Sequence, residues 1–156
     1  MSRLALLELV LFLACGPPCG ASSAIVARVV DGDTIELASK ARVRLLSVDT
    51  PEITSGKRDC YGPEAAAFTA ATLLGEVARL TYDSECTDRY GRTLAYVAVG
   101  ELELNTELVR GGYACALAVG TAGRSRAEEF ATYEAEARTA RLGMWGACQQ
   151  VPCAAK

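Results

Sequence analysis

The chain has 156 residues, enough for one compact domain with a real core and too few for two ordinary ones. Its 16 lysines and arginines are outnumbered by 19 acids, a net charge of −3, which argues against a protein built to coat nucleic acid indiscriminately but leaves room for a local cationic site. It has no histidine, which excludes serine–histidine hydrolases, histidine phosphodiesterases and histidine-ligated metal nucleases together; acid–base work falls to carboxylates, lysine, arginine or tyrosine.

The first element in chain order reads as a leader. Met1-Ser-Arg3 and the apolar run from Leu4 to Ala14, with Glu8 inside it, make a cationic head and a hydrophobic stretch too short to span a bilayer. A signal peptide over 1–23 follows, with two possible exits. Leu13-Ala14-Cys15-Gly16 resembles a lipobox and would leave Cys15 as a lipid-anchored N-terminus at the cell envelope. Cleavage near Ala21 to Ala24 would instead release a secreted or periplasmic protein. The seven cysteines, Cys15, Cys19, Cys60, Cys86, Cys115, Cys148 and Cys153, include no Cys-x-x-Cys pair, so in an exported domain they point to disulfides rather than zinc. The expected pairs are Cys60 with Cys86 and Cys115 with Cys148.

The domain itself is expected over 24–147. Ala24 to Val30 and Ile35 to Leu37 are β-branched runs around Asp31-Gly32-Asp33-Thr34, and an Asp-Gly between such runs signals a hairpin. Asp33 is the residue that the turn alone does not demand. A third strand over 42–48 is stopped by Pro51, which cannot donate to a ladder. Asp49 and Glu52 therefore stand just past a strand end, with Arg44 able to point out of the same surface.

Ile53 to Asp59 reads as a flexible polar loop. Tyr61-Gly-Pro63-Glu64 opens a helix that runs to Leu74, since proline suits the first turn and glutamate complements the helix dipole. Val77 to Tyr82 is a fourth strand, and a polar connection ends in Asp88-Arg89-Tyr90-Gly91-Arg92 before a fifth strand over Thr93 to Val99. A short helix spans Glu101 to Arg110, Tyr113 to Val119 is extended, and Thr121 to Arg126 is a mobile loop by composition. Ala127 to Leu142 forms a long helix with Phe130, Tyr133 and Ala137 on one side. Met144-Trp145 packs back on the core, and the tail over 148–156 is loose. Five strands with three helices give an α+β, mainly β, barrel domain.

Without histidine or a cysteine pair, any metal must be hard and oxygen-bound. Asp33 and Asp49, with a backbone carbonyl near Thr50, suit Ca2+, which accepts mixed carboxylate, carbonyl and water ligands; magnesium demands a stricter octahedron. Glu52 is near enough to share the site yet free to hold a water. Arg44 and Arg92 can clamp a phosphate and take up charge developing on its oxygens. Each arginine alone reads most simply as a solvated ion pair, and the two acids alone as a polar loop. Their joint occurrence makes the case.

These blocks, Val30-Asp-Gly-Asp-Thr34, Arg44-Leu-Leu-Ser-Val-Asp-Thr-Pro-Glu52, Tyr61-Gly-Pro-Glu64, Thr87-Asp-Arg-Tyr-Gly-Arg92 and Leu108-Val-Arg-Gly111, stand in the order found in the staphylococcal-nuclease-like, or thermonuclease, family, which the chain resembles from about Ile25 to Trp145. The resemblance implies a five-stranded OB-fold barrel with three helices and calcium-dependent cleavage of DNA and RNA. By match of position it implies Asp33, Asp49 and the Thr50 carbonyl as calcium ligands, Glu52 as general base, and Arg44 and Arg92 on the scissile phosphate. Asp31 becomes a supporting partner of the ligands, and Arg89 and Tyr90 flank the nucleotide pocket. The chain departs from the pattern at Ala118-Val119-Gly120, where the family's best-known member carries two nucleotide-contacting tyrosines. No stable protein partner is expected, and the chain reads as a monomer. The competing readings are a non-catalytic OB-fold module that binds nucleic acid or protein, and a hydrolase using Asp49 and Glu52 as a carboxylate pair.

Overall fold

A computed structural model describes residues 19–118 and 121–153. Residues 1–18 with Cys15, and Val119 and Gly120 of the departure noted above, lie outside the described residues. β1 (Ser23–Asp31) turns through Gly32 and Asp33 into β2 (Thr34–Leu37), antiparallel with Asp31 opposite Thr34. β3 (Arg42–Leu45) pairs with β2, its Val43 and Leu45 buried while Arg42 and Arg44 face out. The expected third strand breaks at Ser47, whose φ of 62° lies in the left-handed region, and resumes as the two-residue β4 (Val48–Asp49). That break lets the chain turn out of the barrel, and it puts Asp49 on a rim instead of in a ladder between long strands. β4 pairs with β8 (Cys115–Ala116), Asp49 opposite Cys115.

α1 (Gly62–Leu73) begins with Pro63 in its first turn and packs on β1. β5 (Val77–Thr81) and β6 (Thr93–Val99) complete the barrel: the sheet order is β3-β2-β1-β5-β6, and β6 returns to pair in parallel with β3, Val43 opposite Thr93. Closure removes the free edges that an open five-stranded sheet would expose. Val26, Ile35, Val43 and Val97 fill the interior with no exposure at all. The fold is therefore the expected OB-type barrel, α+β and mainly β. The helix expected from Glu101 begins later: β7 (Leu102–Glu103) first extends β6, then α2 (Leu104–Arg110) follows. Asn105 on α2 is buried, accepts from Val97 N at 2.9 Å and donates to Leu46 O at 2.8 Å, tying the helix to both β6 and the end of β3.

α3 (Ala127–Thr139) lies against α2 and ends before the single-turn α4 (Met144–Ala147). The corner between them is seated on Gly112, where a Cβ would stand 2.2 Å from Leu142 O, and Met144 N donates to Gly112 O at 2.9 Å. Residues 121–126 are pinned rather than mobile. Asp83 accepts from Gly123 N at 2.8 Å and Ser125 Oγ at 3.1 Å, and Glu85 accepts from the backbone and hydroxyl of Thr121.

The disulfides are Cys19–Cys86, Cys60–Cys148 and Cys115–Cys153, so both expected pairs, Cys60 with Cys86 and Cys115 with Cys148, are corrected. The reason is where the ends of the chain run. Residues 21 and 22 lie along β5, with Leu80 N donating to Ser22 O at 2.8 Å and Tyr82 Oη to Ala21 O at 2.5 Å, and this brings Cys19 to Cys86. The corner at Gly112 sends Cys148 to the start of α1, where Cys60 waits, and the tail then doubles back to Cys115. Residues 19–23 are thus bonded to β5 and Cys86, and the tail from 148 is tied down as far as Cys153.

Candidate active site

Gly32 is the key to why the acids meet. A Cβ there would lie 2.7 Å from the Thr50 side chain, so only glycine lets the β1–β2 hairpin settle on the Asp49-Thr50 segment. Thr69 Oγ1, fully buried on α1, fixes the hairpin by donating to Gly32 O at 2.6 Å. Asp33 then reaches across: its Oδ2 accepts from Thr50 N at 2.9 Å, and its Oδ1 accepts from Thr34 Oγ1 at 3.1 Å.

Arg44 lies over both acids. Its Nη2 stands 3.2 Å from Asp33 Oδ2 and 3.4 Å from Asp49 Oδ1, while its Nη1 donates to Leu45 O and Val48 O at 2.9 and 2.8 Å. The backbone pair holds the guanidinium rigid across the Ser47 break. Asp33 and Asp49 are each at most 6% exposed, so two carboxylates share a nearly dry site with one cation. Two almost buried carboxylates with a neighbouring backbone carbonyl are hard oxygen donors, the type that a calcium ion takes. Among the described residues no three acid, cysteine or histidine side chains converge as a metal cluster, so two carboxylates are all that the side chains supply.

Asp31 sits behind this pair, its Oδ1 accepting from Asp33 N at 3.2 Å. Burial first, then the charge of Asp33 and more weakly that of Glu52, pushes its carboxyl up to about 7. Glu52 is half-buried, and its Oε2 accepts from Thr54 Oγ1 at 2.9 Å. Its backbone is clamped by Asp59, which accepts from Glu52 N at 3.1 Å and donates its own N–H to Glu52 O at 2.9 Å. The 53–59 segment is therefore a closed loop next to the Cys60–Cys148 bridge, not a loose one.

Arg92 enters from the other side. Its Nη1 reaches Thr34 Oγ1 at 3.5 Å, and through that hydroxyl it is linked to Asp33. Asp88 aims it: Nε donates to Asp88 Oδ2 at 2.7 Å, and Oδ1 accepts from the backbone N–H of both Tyr90 and Arg92. Burial works against the charge on Asp88, but those hydrogen bonds outweigh it and hold the carboxyl below its usual range. Arg89 and Tyr90 are exposed at the tip of this turn, with Arg89 Nη2 donating to the Tyr90 hydroxyl at 2.7 Å and the guanidinium 4.8 Å from the ring centre. A cavity of about 390 Å3 opens between Arg44, Arg92, Arg89 and Tyr90 over a floor that includes Leu45 and Leu94. Cations on the wall and leucines below can take a phosphate joined to a flat apolar ring.

All nine residues singled out from sequence thus border one rim. Asp33 joins Asp31, Thr50 and Arg44, Arg44 also meets Asp49, Arg92 is linked to Asp33 through Thr34, Arg89 and Tyr90 line the cavity, and Glu52 is bonded to Thr54. Sequence reasoning missed the supports, Thr34, Asp59, Thr69, Asp88 and Asn105. Asp88 had a signal, an Asp four residues before Arg92 in a turn ending Tyr-Gly-Arg; the others look like ordinary polar residues.

Residues 42–147 match the family model described as Staphylococcal nuclease homologue. The thermonuclease of Staphylococcus intermedius is 44% identical over 97 residues, 59% of this chain and 58% of that protein. The thermonuclease of Staphylococcus hyicus is 43% identical over 94 residues, 57% and 56% of the two. Protein ParB of Escherichia coli is 36% identical over 132 residues, 77% of this chain and 70% of that one. The chain spans less than two thirds of the length of the two staphylococcal relatives.

Proposed function

The chain belongs to the staphylococcal nuclease homologue family, and from that premise we propose that it is a calcium-dependent nuclease hydrolysing phosphodiester bonds of DNA and RNA. The observation that carries this reading is the single Arg44 nitrogen standing 3.2 and 3.4 Å from two nearly buried carboxylates, with Arg92 linked to the same Asp33. Calcium, when bound by Asp33, Asp49 and the Thr50 carbonyl, supplies a positive charge that polarises the phosphoryl oxygen. Arg44 and Arg92 grip the scissile phosphate from two sides and take up the charge that grows on its oxygens. Glu52, held by Thr54 and Asp59, removes the proton of the attacking water. Arg89 and Tyr90 flank the pocket that takes the nucleotide over the leucine floor.

The three disulfides support an oxidising compartment, so the protein is read as exported, secreted or held at the envelope. Cleavage near Ala21 to Ala24 would discard Cys19, which bonds Cys86, whereas processing at Cys15 keeps it. We therefore place the processing site upstream of Cys19. The mass of the mature N-terminus tests this, and a chain that starts after Cys19 refutes it.

The activity is tested by incubating the purified protein with DNA and RNA in calcium and in chelator. Cleavage that needs calcium and falls by about 10²–10⁴ in Glu52→Gln is expected. Tight calcium-independent binding with no cleavage would favour a binding module, and full activity in Glu52→Gln would remove that residue from the chemistry.

A further inference from the structure

Two cavities meet at Tyr90. The first is the pocket beside the acids. The second, of about 530 Å3, opens on the far side of the same turn and is lined by Lys40, Ala41, Arg42, Tyr90, Gly91 and Arg92. Arg92 and Tyr90 wall both. Half of that lining is cationic, in a chain whose net charge is −3.

The cations form a row, not a scatter. Alternate residues of a strand face the same way about 7 Å apart, so Arg42 and Arg44 stand side by side with Val43 buried between them. The parallel register that sets Val43 opposite Thr93 brings Arg92 next to that pair. Lys40 continues the line from the β2–β3 turn. The row therefore runs from the acids of the rim outwards, past Tyr90.

Little negative charge answers it. Glu36 faces Arg42 across the β2–β3 register, but its carboxylate is taken by Arg28 at 2.8 Å and Lys40 at 3.4 Å. Asp88 is taken by Arg92. Arg42 makes no ion pair or side-chain hydrogen bond among the described residues. Tyr90 is 68% exposed, an aromatic side chain held out beside the row with the Arg89 and Arg92 guanidiniums 4.8 and 5.5 Å from its ring centre. Backbone-tracking cations next to an exposed ring are the means by which proteins hold an unpaired strand without reading its sequence.

We infer that Lys40, Arg42 and Tyr90 form a further subsite, which takes the phosphate and base of the nucleotide adjoining the one being cleaved, in an unpaired strand. This rests on the nuclease reading and gives its substrate a class: single-stranded polynucleotide stretches are preferred to a lone dinucleotide. The cations neutralise the next phosphate, and the ring stacks on the next base.

The test compares wild type with Lys40→Asn/Arg42→Gln. Both side chains are exposed, and asparagine is chosen because Lys40 has a φ of 72°, which asparagine tolerates. Binding of a labelled eight-residue single-stranded DNA is measured by anisotropy in chelator over a salt series. The double variant is expected to bind about tenfold more weakly at low salt, with a log–log salt slope smaller by about 0.7, the value for one fewer phosphate neutralised on a single strand. The kcat/KM preference for that octamer over a dinucleotide falls by a similar factor in calcium. Unchanged affinity and slope overturn the subsite even where cleavage is found, and wild-type binding with the expected slope but no cleavage refutes the nuclease reading and leaves the subsite standing. A variant that loses binding to phosphatidylserine vesicles but not to the octamer assigns the row to a membrane and also overturns the proposal.

Discussion

One nitrogen of Arg44 lies within 3.4 Å of both Asp33 and Asp49, and the other end of the same guanidinium is bound to the carbonyls of Leu45 and Val48. The arginine is thus the counter-charge of the acid pair and the brace of the turn that presents it. Both acids are almost out of water, so neither charge is stable there alone.

Arg44→Ala is therefore expected to lose stability as well as activity. In chelator the two carboxylates are left facing one another, at a cost of about 3 kcal/mol in urea denaturation. Calcium should return part of it, so the gain in unfolding midpoint on adding calcium is larger in the variant than in wild type. Cleavage falls by about 10³ or more, since a donor to the transition-state charge is gone. Equal calcium effects in the two proteins would mean that guanidinium and ion do not answer the same acids.

Asp31 gives the pH dependence. Its folded carboxyl is raised from an ordinary value of 3.8 to about 7, first by burial and then by Asp33. Between those values the folded protein holds a proton that the unfolded chain has lost. The contribution of Asp31 to stability is full below about pH 4, is lost as pH rises to about 7, and is flat above. Asp31→Asn keeps an acceptor for Asp33 N and abolishes the titration. In chelator the variant should gain on wild type across that window, by on the order of 2 kcal/mol at its upper end. Parallel urea midpoints from pH 4 to 8 would show that Asp31 is charged in the fold after all.

What was legible in the sequence was whatever depends on local chemistry. The Asp-Gly turn, the Pro51 stop, the Pro63 helix start and the alternation of β3 each follow from neighbouring residues, and together they imply the barrel and the rim. The disulfides were not legible, because Cys60 and Cys148 are 88 residues apart and are brought together by a helix corner seated on Gly112. Nor was the position of Glu52, which depends on Asp59 and Thr54 closing a loop that by composition looks slack. Gly32 reads in the sequence as a turn residue, but what the fold asks of it is close contact with Thr50.

The bridges make a prediction that bears on the site. Cys60 follows Asp59, the clamp on Glu52, and Cys115 is the ladder partner of Asp49. Replacing Cys60 and Cys148 by serine should cost about 2–5 kcal/mol and lower cleavage as Glu52 loosens. Peptide mapping without reductant should recover the pairs Cys19–Cys86, Cys60–Cys148 and Cys115–Cys153. A Cys60–Cys86 peptide, or a melting temperature indifferent to reductant, would sink this account.

Asn105 offers a test that separates scaffold from chemistry. It has no exposure, accepts from Val97 N at 2.9 Å, and donates to Leu46 O at 2.8 Å and Ala95 O at 3.3 Å. Val97 N and Leu46 O thus take their partner from one side-chain amide, while Ala95 O also accepts from Leu46 N at 3.0 Å, and leaving buried groups unpaired costs more than making the bonds gains. Asn105→Ala is expected to cost about 2–4 kcal/mol, most of it desolvation without repayment. Leu46 directly follows the strand that carries Arg44, so the loss should reach the rim as a broader set of Arg44 positions. Activity should therefore fall steeply on warming while remaining measurable in the cold, where the fold is still intact. Thermal melts and cleavage rates taken on the same preparation decide it. An Asn105→Ala protein as stable as wild type would show that water or a backbone shift satisfies Val97 N and Leu46 O, and the amide would lose its role as the pin between α2 and the barrel.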